Sequence, residues 1–538
     1  MVIAMKTFRQ TLCAFLLAAP FGLGNAQTAD NMPRMATPHR QTADAQERTL
    51  SLDVDANVGF TASSNAEWVT VIPREGGIYL HLEANENYKN REAKVDFASA
   101  DGHLKQTLSL TQEGKRDGLV SFFLSSIDNY SSAVYEGSET ISNTDIGVKR
   151  DSVWKAWRLA NSLYDEEKLI KLDRLSQTTT GAWKIPSYLE ANATMNYRYG
   201  RKGTAIPAEG LPLFIYLHGS GDRDSEWATG LNLSQGWNDA PSAYFIPQIP
   251  NVGELYRWWQ RGKQWAWEKL LRQVLAGGDI NPDRIYVFGI SEGGYGSQRL
   301  ASFYADYWAA AGPMAGGEPL KNAPAENLRN TPFSLRTGSL DDGFHRNILT
   351  TYTKEALDAL QQEDPDGYEH WVTLIEGSGH GIDYSPTTPW MKKYTRNACP
   401  KKVCWEDFDM DGLNRRGFAN IEVINRPNSA YRTYYVETID DNTVNVRVQN
   451  VDYSTTETRD GIAMKFERTR WDVRFGKFRI YLNEEMVDLS RPVRIVVNDK
   501  EYYNDLLVPD VSHMAQSAAC FYDPRRVFPV AFDVEIEP

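Results

Sequence analysis

From Thr49 onward apolar and polar residues alternate in short runs: Leu50, Leu52 and Val54, then Trp68, Val69 and Val71, then Ile78, Leu80 and Leu82. Val95 with Phe97, and Leu108 with Leu110, complete the series. A period of two puts every second side chain on one face, and the turns between runs predict a small β-sandwich. After residue 150 the spacing lengthens. Trp154, Trp157, Leu159, Leu163 and the apolar residues of 169–172 predict a helical stretch within 151–175. Segments 181–186 and 193–200 read as two leading antiparallel strands. Next come strand candidates at 213–217, 244–247, 285–289, 309–313, 333–337 and 371–375, with helical patterns between them at 258–276, 295–307 and 349–362. Short, largely apolar strands alternating with helices predict a mostly parallel sheet covered on both faces. Beyond Trp405 the pattern returns to β. Val444, Val446 and Val448 alternate, and 493–497 leads through Asn498-Asp499 into Tyr502 and Tyr503, a hairpin signal.

The polar segment 27–47 carries Pro33 and Pro38, has no periodicity and reads as a tether. Residues 1–26 read as a signal peptide. Lys6 and Arg9 precede an apolar run over 12–23, and Gly24-Asn25-Ala26 supplies small residues for cleavage before Gln27. That run is too short to cross a bilayer, so no transmembrane segment is expected. A chain of 538 residues exceeds one core. The expected organisation is a signal peptide (1–26), a linker (27–47), a β-sandwich (48–115), an α/β domain with an N-terminal extension (116–404) and a C-terminal β-sandwich (405–538).

Charge and composition narrow the partners. A net charge of −13 argues against nucleic acid and against an anionic membrane surface. Fifteen Trp and 27 Tyr suit stacking on sugar rings, but large β-domain cores use them equally. Export would leave Cys399, Cys404 and Cys520, permitting a Cys399–Cys404 disulfide with Cys520 left over. Without clustered histidines these cysteines give no zinc pattern, and neither metal nor cofactor is expected. Asp407-Phe-Asp409-Met-Asp411-Gly412 copies the start of a calcium loop, but Phe418 stands where a bidentate Glu is required, so it reads as an acidic turn.

The chemistry centres on Gly289-Ile290-Ser291-Glu292-Gly293-Gly294, between an apolar strand and a helical pattern. Strand, sharp turn at serine and helix resemble the nucleophile elbow of an α/β-hydrolase. That resemblance implies a triad in the order nucleophile, acid, base. Asp341, in Gly338-Ser-Leu-Asp341 after the run at 333–337, is the acid that fits, and Asp342 is the alternative. Of eight histidines only His380, in Gly377-Ser-Gly-His380-Gly381, follows the strand at 371–375 and qualifies as the base. Leu217-His218-Gly219-Ser220-Gly221 resembles the HGxG loop of the same fold. It implies an oxyanion hole made by the backbone N–H groups of Ser220 and Glu292, with His218 structural. These four elements cover residues 211–382. Arg257, Trp258 and Trp259 follow a strand at the catalytic rim, Glu226 and Trp227 lie just past the oxyanion loop, and Phe344 and His345 adjoin Asp341. All are candidates to line the substrate site.

Ala66-Glu-Trp68-Val-Thr-Val-Ile-Pro73, Ala84-Asn85, Arg91 and Leu110-Thr-Gln112-Glu-Gly114 resemble a BACON domain. This family of immunoglobulin-like modules accompanies carbohydrate-active enzymes of gut Bacteroidetes. The overall expectation is an α/β-hydrolase core flanked by two immunoglobulin-like sandwiches. Its function would be that of an exported serine ester hydrolase acting on decorated polysaccharide or a small ester. A prolyl-oligopeptidase-like peptidase and a glycan-binding protein with a degenerate hydrolase core are the alternatives. The acyl group, the sugar, the side of the outer membrane and the oligomeric state stay open.

Overall fold

The computed structural model describes residues 32–115, 118–128, 133–427 and 430–537. It divides into two compact units, Met1–Arg116 and Asp117–Pro538. The signal peptide expected over 1–26 lies outside the described residues.

In the first unit a four-stranded sheet runs Arg40–Ala43, Lys105–Gln112, Arg91–Ser99, Phe60–Ser64, and a three-stranded sheet runs Arg48–Asp53, Gly77–Leu82, Val69–Arg74. Alternation decides which face is buried. Along Arg91–Ser99, Ala93, Val95 and Phe97 point inward while Glu92, Lys94 and Asp96 are exposed. Leu52, Ile78, Leu80 and Leu82 of one sheet share a core with Val95, Phe97, Leu108 and Leu110 of the other. The resemblance residues have structural work here. The Arg91 guanidinium lies 4.2 Å from the Trp68 ring centre. The buried Asn85 amide donates to the carbonyls of Lys89 and Glu113. The tether reading of 27–47 needs correction: Arg40–Ala43 is a strand parallel to Lys105–Gln112, and Met35–Ala36 pairs with Asp55–Ala56. Backbone ladders and the buried Met35 and Ala43 hold these short strands, so polar composition concealed them.

In the second unit we number the central strands β1 Thr180–Lys184, β2 Thr194–Lys202, β3 Leu211–Leu217, β4 Ser242–Pro247, β5 Ile280–Ile290, β6 Ala310–Met314, β7 Phe333–Gly338 and β8 His370–Ile375. They form one sheet in the order β1-β2-β4-β3-β5-β6-β7-β8. The β1–β2 and β2–β4 pairs are antiparallel and all others parallel. Every residue of β3, β4, β6 and β7 is buried, as expected of strands covered on both faces. The helices of this unit are α1 Gly118–Asp128, α2 Ile146–Leu163, α3 Arg223–Gly236, α4 Arg261–Gly277, α5 Glu292–Phe303, α6 Arg346–Glu363, α7 Thr387–Met391 and α8 Val511–Phe521. Phe214 and Tyr216 of β3 and Tyr286 and Phe288 of β5 pack with Leu231 of α3 and Met391 of α7 on one face.

Three expectations shift. The helix expected over 258–276 begins at Arg261, and the one within 151–175 ends at Leu163. The boundary expected at 404/405 is not a division, because residues 117–538 form one unit. Strand Lys402–Asp407 is tied to the α/β region by Asn327 and Glu406, which exchange two hydrogen bonds of 3.1 and 2.6 Å. Arg526, fully buried, pairs with Asp306 and Asp523. The C-terminal region holds two sheets, of six and four strands, and also α8. Cys399, Cys404 and Cys520 are buried free thiols, so the Cys399–Cys404 bridge is not formed; Cys399 Sγ instead accepts from the Asn483 amide at 3.2 Å. The acidic turn directs its carboxylates apart: Asp407 to Arg426, Asp409 to the Gly412 N–H and Asp411 to the Arg261 N–H.

Candidate active site

Between β5 and α5 the chain must turn within one residue, and Ser291 does so at φ 57°, ψ −115°. A non-glycine residue at positive φ costs on the order of 1–2 kcal/mol and persists only where its surroundings fix it. Here the Ser291 N–H donates to the Met314 carbonyl of β6, and its carbonyl accepts from the Tyr295 N–H, both at 3.0 Å. Close packing explains two of the glycines. A Cβ on Gly293 would overlap the Leu217 carbonyl, and one on Gly289 would overlap the Gly293 carbonyl.

The loops after β7 and β8 are laced together. Leu340 N–H donates to Ser378, Ser339 N–H to Ile375, and Gly377 N–H to the Ser339 hydroxyl, each at 2.9 Å. This lacing brings His380 Nδ1 to 2.8 Å from Asp341 Oδ2, while His380 Nε2 lies 2.9 Å from Ser291 Oγ. An ionised carboxylate only accepts, so Nδ1 carries the proton and Nε2 is free to accept from the serine hydroxyl. Asp341 is 3% exposed. Burial pushes its carboxyl up, but the Arg346 hydrogen bonds and then His380 more than offset this and hold it below the usual carboxylate range. Arg346 Nε reaches both oxygens at 2.9 Å and Nη2 reaches Oδ1 at 2.6 Å. Both imidazole nitrogens are engaged, which leaves none for Asp342, an exposed residue just before the turn Gly343–His345. Sequence reasoning missed Arg346; a cation five residues after Asp341, opening α6, was the available signal.

The loop 217–221 is clamped from behind. The Gly219 carbonyl accepts from Tyr256 Oη at 2.6 Å and lies 2.8 Å from His218 Nδ1. His218 Nε2 accepts from the Ile249 N–H at 3.1 Å, which assigns the proton to Nδ1. Burial pushes the His218 imidazole down to about 4, so it stays neutral in this structural role. Because the peptide is planar and trans, the Ser220 N–H points opposite to the clamped Gly219 carbonyl. A Cβ on Gly219 would stand 3.5 Å from Ser291 Cβ, so this loop runs alongside the serine. Glu292 opens α5, and its first-turn N–H has no partner within the helix. Burial pushes the Glu292 carboxyl up to about 7; Glu318 adds to the rise, while Arg257 and Arg299 oppose it.

The rim candidates separate clearly. Arg257 is exposed, and its Nη1 lies 3.5 Å from Glu292 Oε1 beside the elbow. Trp258 cannot line the site: it is fully buried, its indole N–H bound to the His218 carbonyl at 3.0 Å. Trp227 is half-buried with its indole N–H on the Ile246 carbonyl at 2.9 Å and its ring 4.0 Å from the Arg198 guanidinium, a packing role against β4. Trp259 lies under the Arg299 guanidinium at 3.9 Å. Glu226 stands beside the loop 217–221, where its carboxylate would crowd a Cβ on Gly219 or Gly221. Phe344 is 71% exposed.

No protein-family model matches the chain. Over 179 residues the chain is 26% identical to a protein of Nocardia uniformis subsp. tsuyamanensis named "Putative esterase NocK", a match covering 30% of this chain and 48% of that protein. The chain thus spans about half the length of the curated relative it matches. Among solved structures, a thermostable esterase aligns over 67% of this chain and 99% of its own, at 15% identity and TM-score 0.33. A ferulic acid esterase aligns over 40% of this chain and 99% of its own, at 14% identity and TM-score 0.30. Likenesses at these scores leave the argument to the geometry of the site.

Proposed function

We propose that this chain is an exported serine ester hydrolase with an α/β-hydrolase core, in which Ser291 is the nucleophile, His380 the general base and Asp341 the acid. One observation carries the reading. An unbroken hydrogen-bond chain runs from a serine hydroxyl in a strained strand–helix turn, through imidazole, to a buried carboxylate. Ser291 Oγ attacks the ester carbonyl while His380 Nε2 takes its proton. The carbonyl oxygen, now negative, is held by the N–H groups of Glu292 and Ser220. Collapse expels the alcohol, which receives the proton from His380. Water then attacks the acyl-enzyme by the same route, releasing the acid and restoring the serine. Asp341 keeps the imidazole in the required tautomer and stabilises its cationic form, and Arg346 fixes Asp341.

The sequence likeness to a protein named as an esterase supports esters over amides as substrates. The resemblance of the first unit to an immunoglobulin-like BACON module supports decorated polysaccharide as the bearer of the ester, by association. The test is a panel of acetylated, methylated and feruloylated glycans set beside dipeptide amides. Release of acid or alcohol from glycan esters is the expected result. Hydrolysis confined to the amides would contradict it. Export is checked by the mature N-terminus, expected at Gln27.

A further inference from the structure

The loop that carries the triad acid spends free energy in a way the fold does not repay. Phe344 (φ 53°, ψ 24°) and His345 (φ 58°, ψ 32°) are consecutive left-handed residues. Neither is glycine, and the left-handed region is unfavourable for both. Leaving a phenyl ring in water also forgoes the gain from burying it. Yet Phe344 is 71% exposed, and Leu340, on the other side of Asp341, is 64% exposed. The same loop therefore presents two apolar side chains to solvent, flanking the carboxylate bound to His380.

The exposed ring has a cation and an ion pair as neighbours. On one side Arg346, whose guanidinium grips Asp341, lies 5.7 Å from the Phe344 ring centre. On the other, His345 Nε2 lies 3.0 Å from Asp460 Oδ2. Asp460 is the tip of the hairpin Thr443–Arg459/Ile462–Asp472, whose turn residues Asp460 and Gly461 both have positive φ. That hairpin is fastened along α6: Tyr352 Oη donates to Glu457 at 2.9 Å, and Lys465 Nζ lies 3.9 Å from the Tyr352 ring centre. The strained turn that follows Asp341 thus lies between the Arg346 guanidinium and the hairpin tip.

We propose that Phe344 is a stacking platform at the catalytic rim, on which a ring carried by the ester substrate, aryl or pyranose, lies during turnover. Both ring types offer a flat apolar face to an aromatic side chain. Asp460 acts through His345 as a positioning residue. This inference rests on the ester-hydrolase reading above and names the substrate class for that site.

The test compares kcat/KM for phenyl acetate and for a pyranosyl monoacetate, each divided by the value for ethyl acetate, in wild type, Phe344→Ala, Phe344→Trp and Asp460→Ala. In Phe344→Ala the ratio falls about tenfold for at least one ring ester, chiefly through KM, and Phe344→Trp keeps it near wild type. Which of the two ratios falls identifies the ring. Asp460→Ala moves the same ratio in the same direction by about threefold. Phe344 packs against little, so its variants retain the wild-type fold, checked by melting curves. Ratios in Phe344→Ala within about twofold of wild type for both ring esters overturn the platform alone. Failure of wild type to hydrolyse any of the three esters overturns the ester reading and the platform with it.

Discussion

Asp341 and Asp342 are adjacent acids with opposite environments, and the difference is chemical. Asp341 is buried, gripped by Arg346 and bonded to His380, whereas Asp342 is exposed. Asp341→Asn should lower kcat by about 10²- to 10⁴-fold because the amide favours the wrong imidazole tautomer. Asp342→Asn should leave kcat within about threefold of wild type. The reverse ranking in steady-state assays would move the acid to Asp342. Glu292 gives a pH prediction. Burial raises its carboxyl from an ordinary value of 4.5 to about 7. The folded state therefore holds the proton more tightly than the unfolded chain does. The stability this adds is complete below the unfolded value and disappears as pH rises through about 7. Glu292→Gln, which stays neutral, should melt progressively higher than wild type as pH goes from about 5 to about 8. A constant difference in melting temperature across that range would show that the carboxyl is not raised.

At the scale of elements, the sequence was most legible where one signal sufficed. The runs at 213–217 and 285–289 fall within β3 and β5 because buried parallel strands are largely apolar, and 333–337 falls within β7 although it buries Ser334, Arg336 and Thr337. Ser291, between an apolar strand and a helical pattern, announced its turn, and the order of the later loops pointed to Asp341 and His380. Helix α3 was illegible. Its buried positions are Gly230, Leu231 and Ser234, and Leu231 alone does not make an apolar stripe. Its signal was instead Asp222, whose side chain caps the Ser225 N–H at 3.0 Å, with Asp224 and Glu226 in the first turn. Trp258 was misread for a different reason. An indole N–H needs a partner when buried, and here the partner is the His218 carbonyl, a contact between loops that no local pattern encodes. The reach of the hairpin tip to His345 is equally non-local.

At the scale of the whole molecule, the first 116 residues form one unit and contribute none of the residues placed at the site, while residues 117–538 form the other. Removing 27–116 should therefore spare turnover of a small soluble ester. Removing 405–538 should abolish soluble, active protein, because it deletes the buried partners of Asp306 and Asn327 together with α8. A soluble, fully active product of the second deletion would show that the C-terminal sheets are an independent accessory. The central claim is that Ser291 is the nucleophile of an ester hydrolase. It is tested most directly by the kcat of wild type and Ser291→Ala on a short-chain nitrophenyl ester. The account predicts a fall of about 10³-fold or more with the fold intact, since only the oxyanion donors and binding remain. Activity of the variant within about tenfold of wild type in a clean preparation would contradict it.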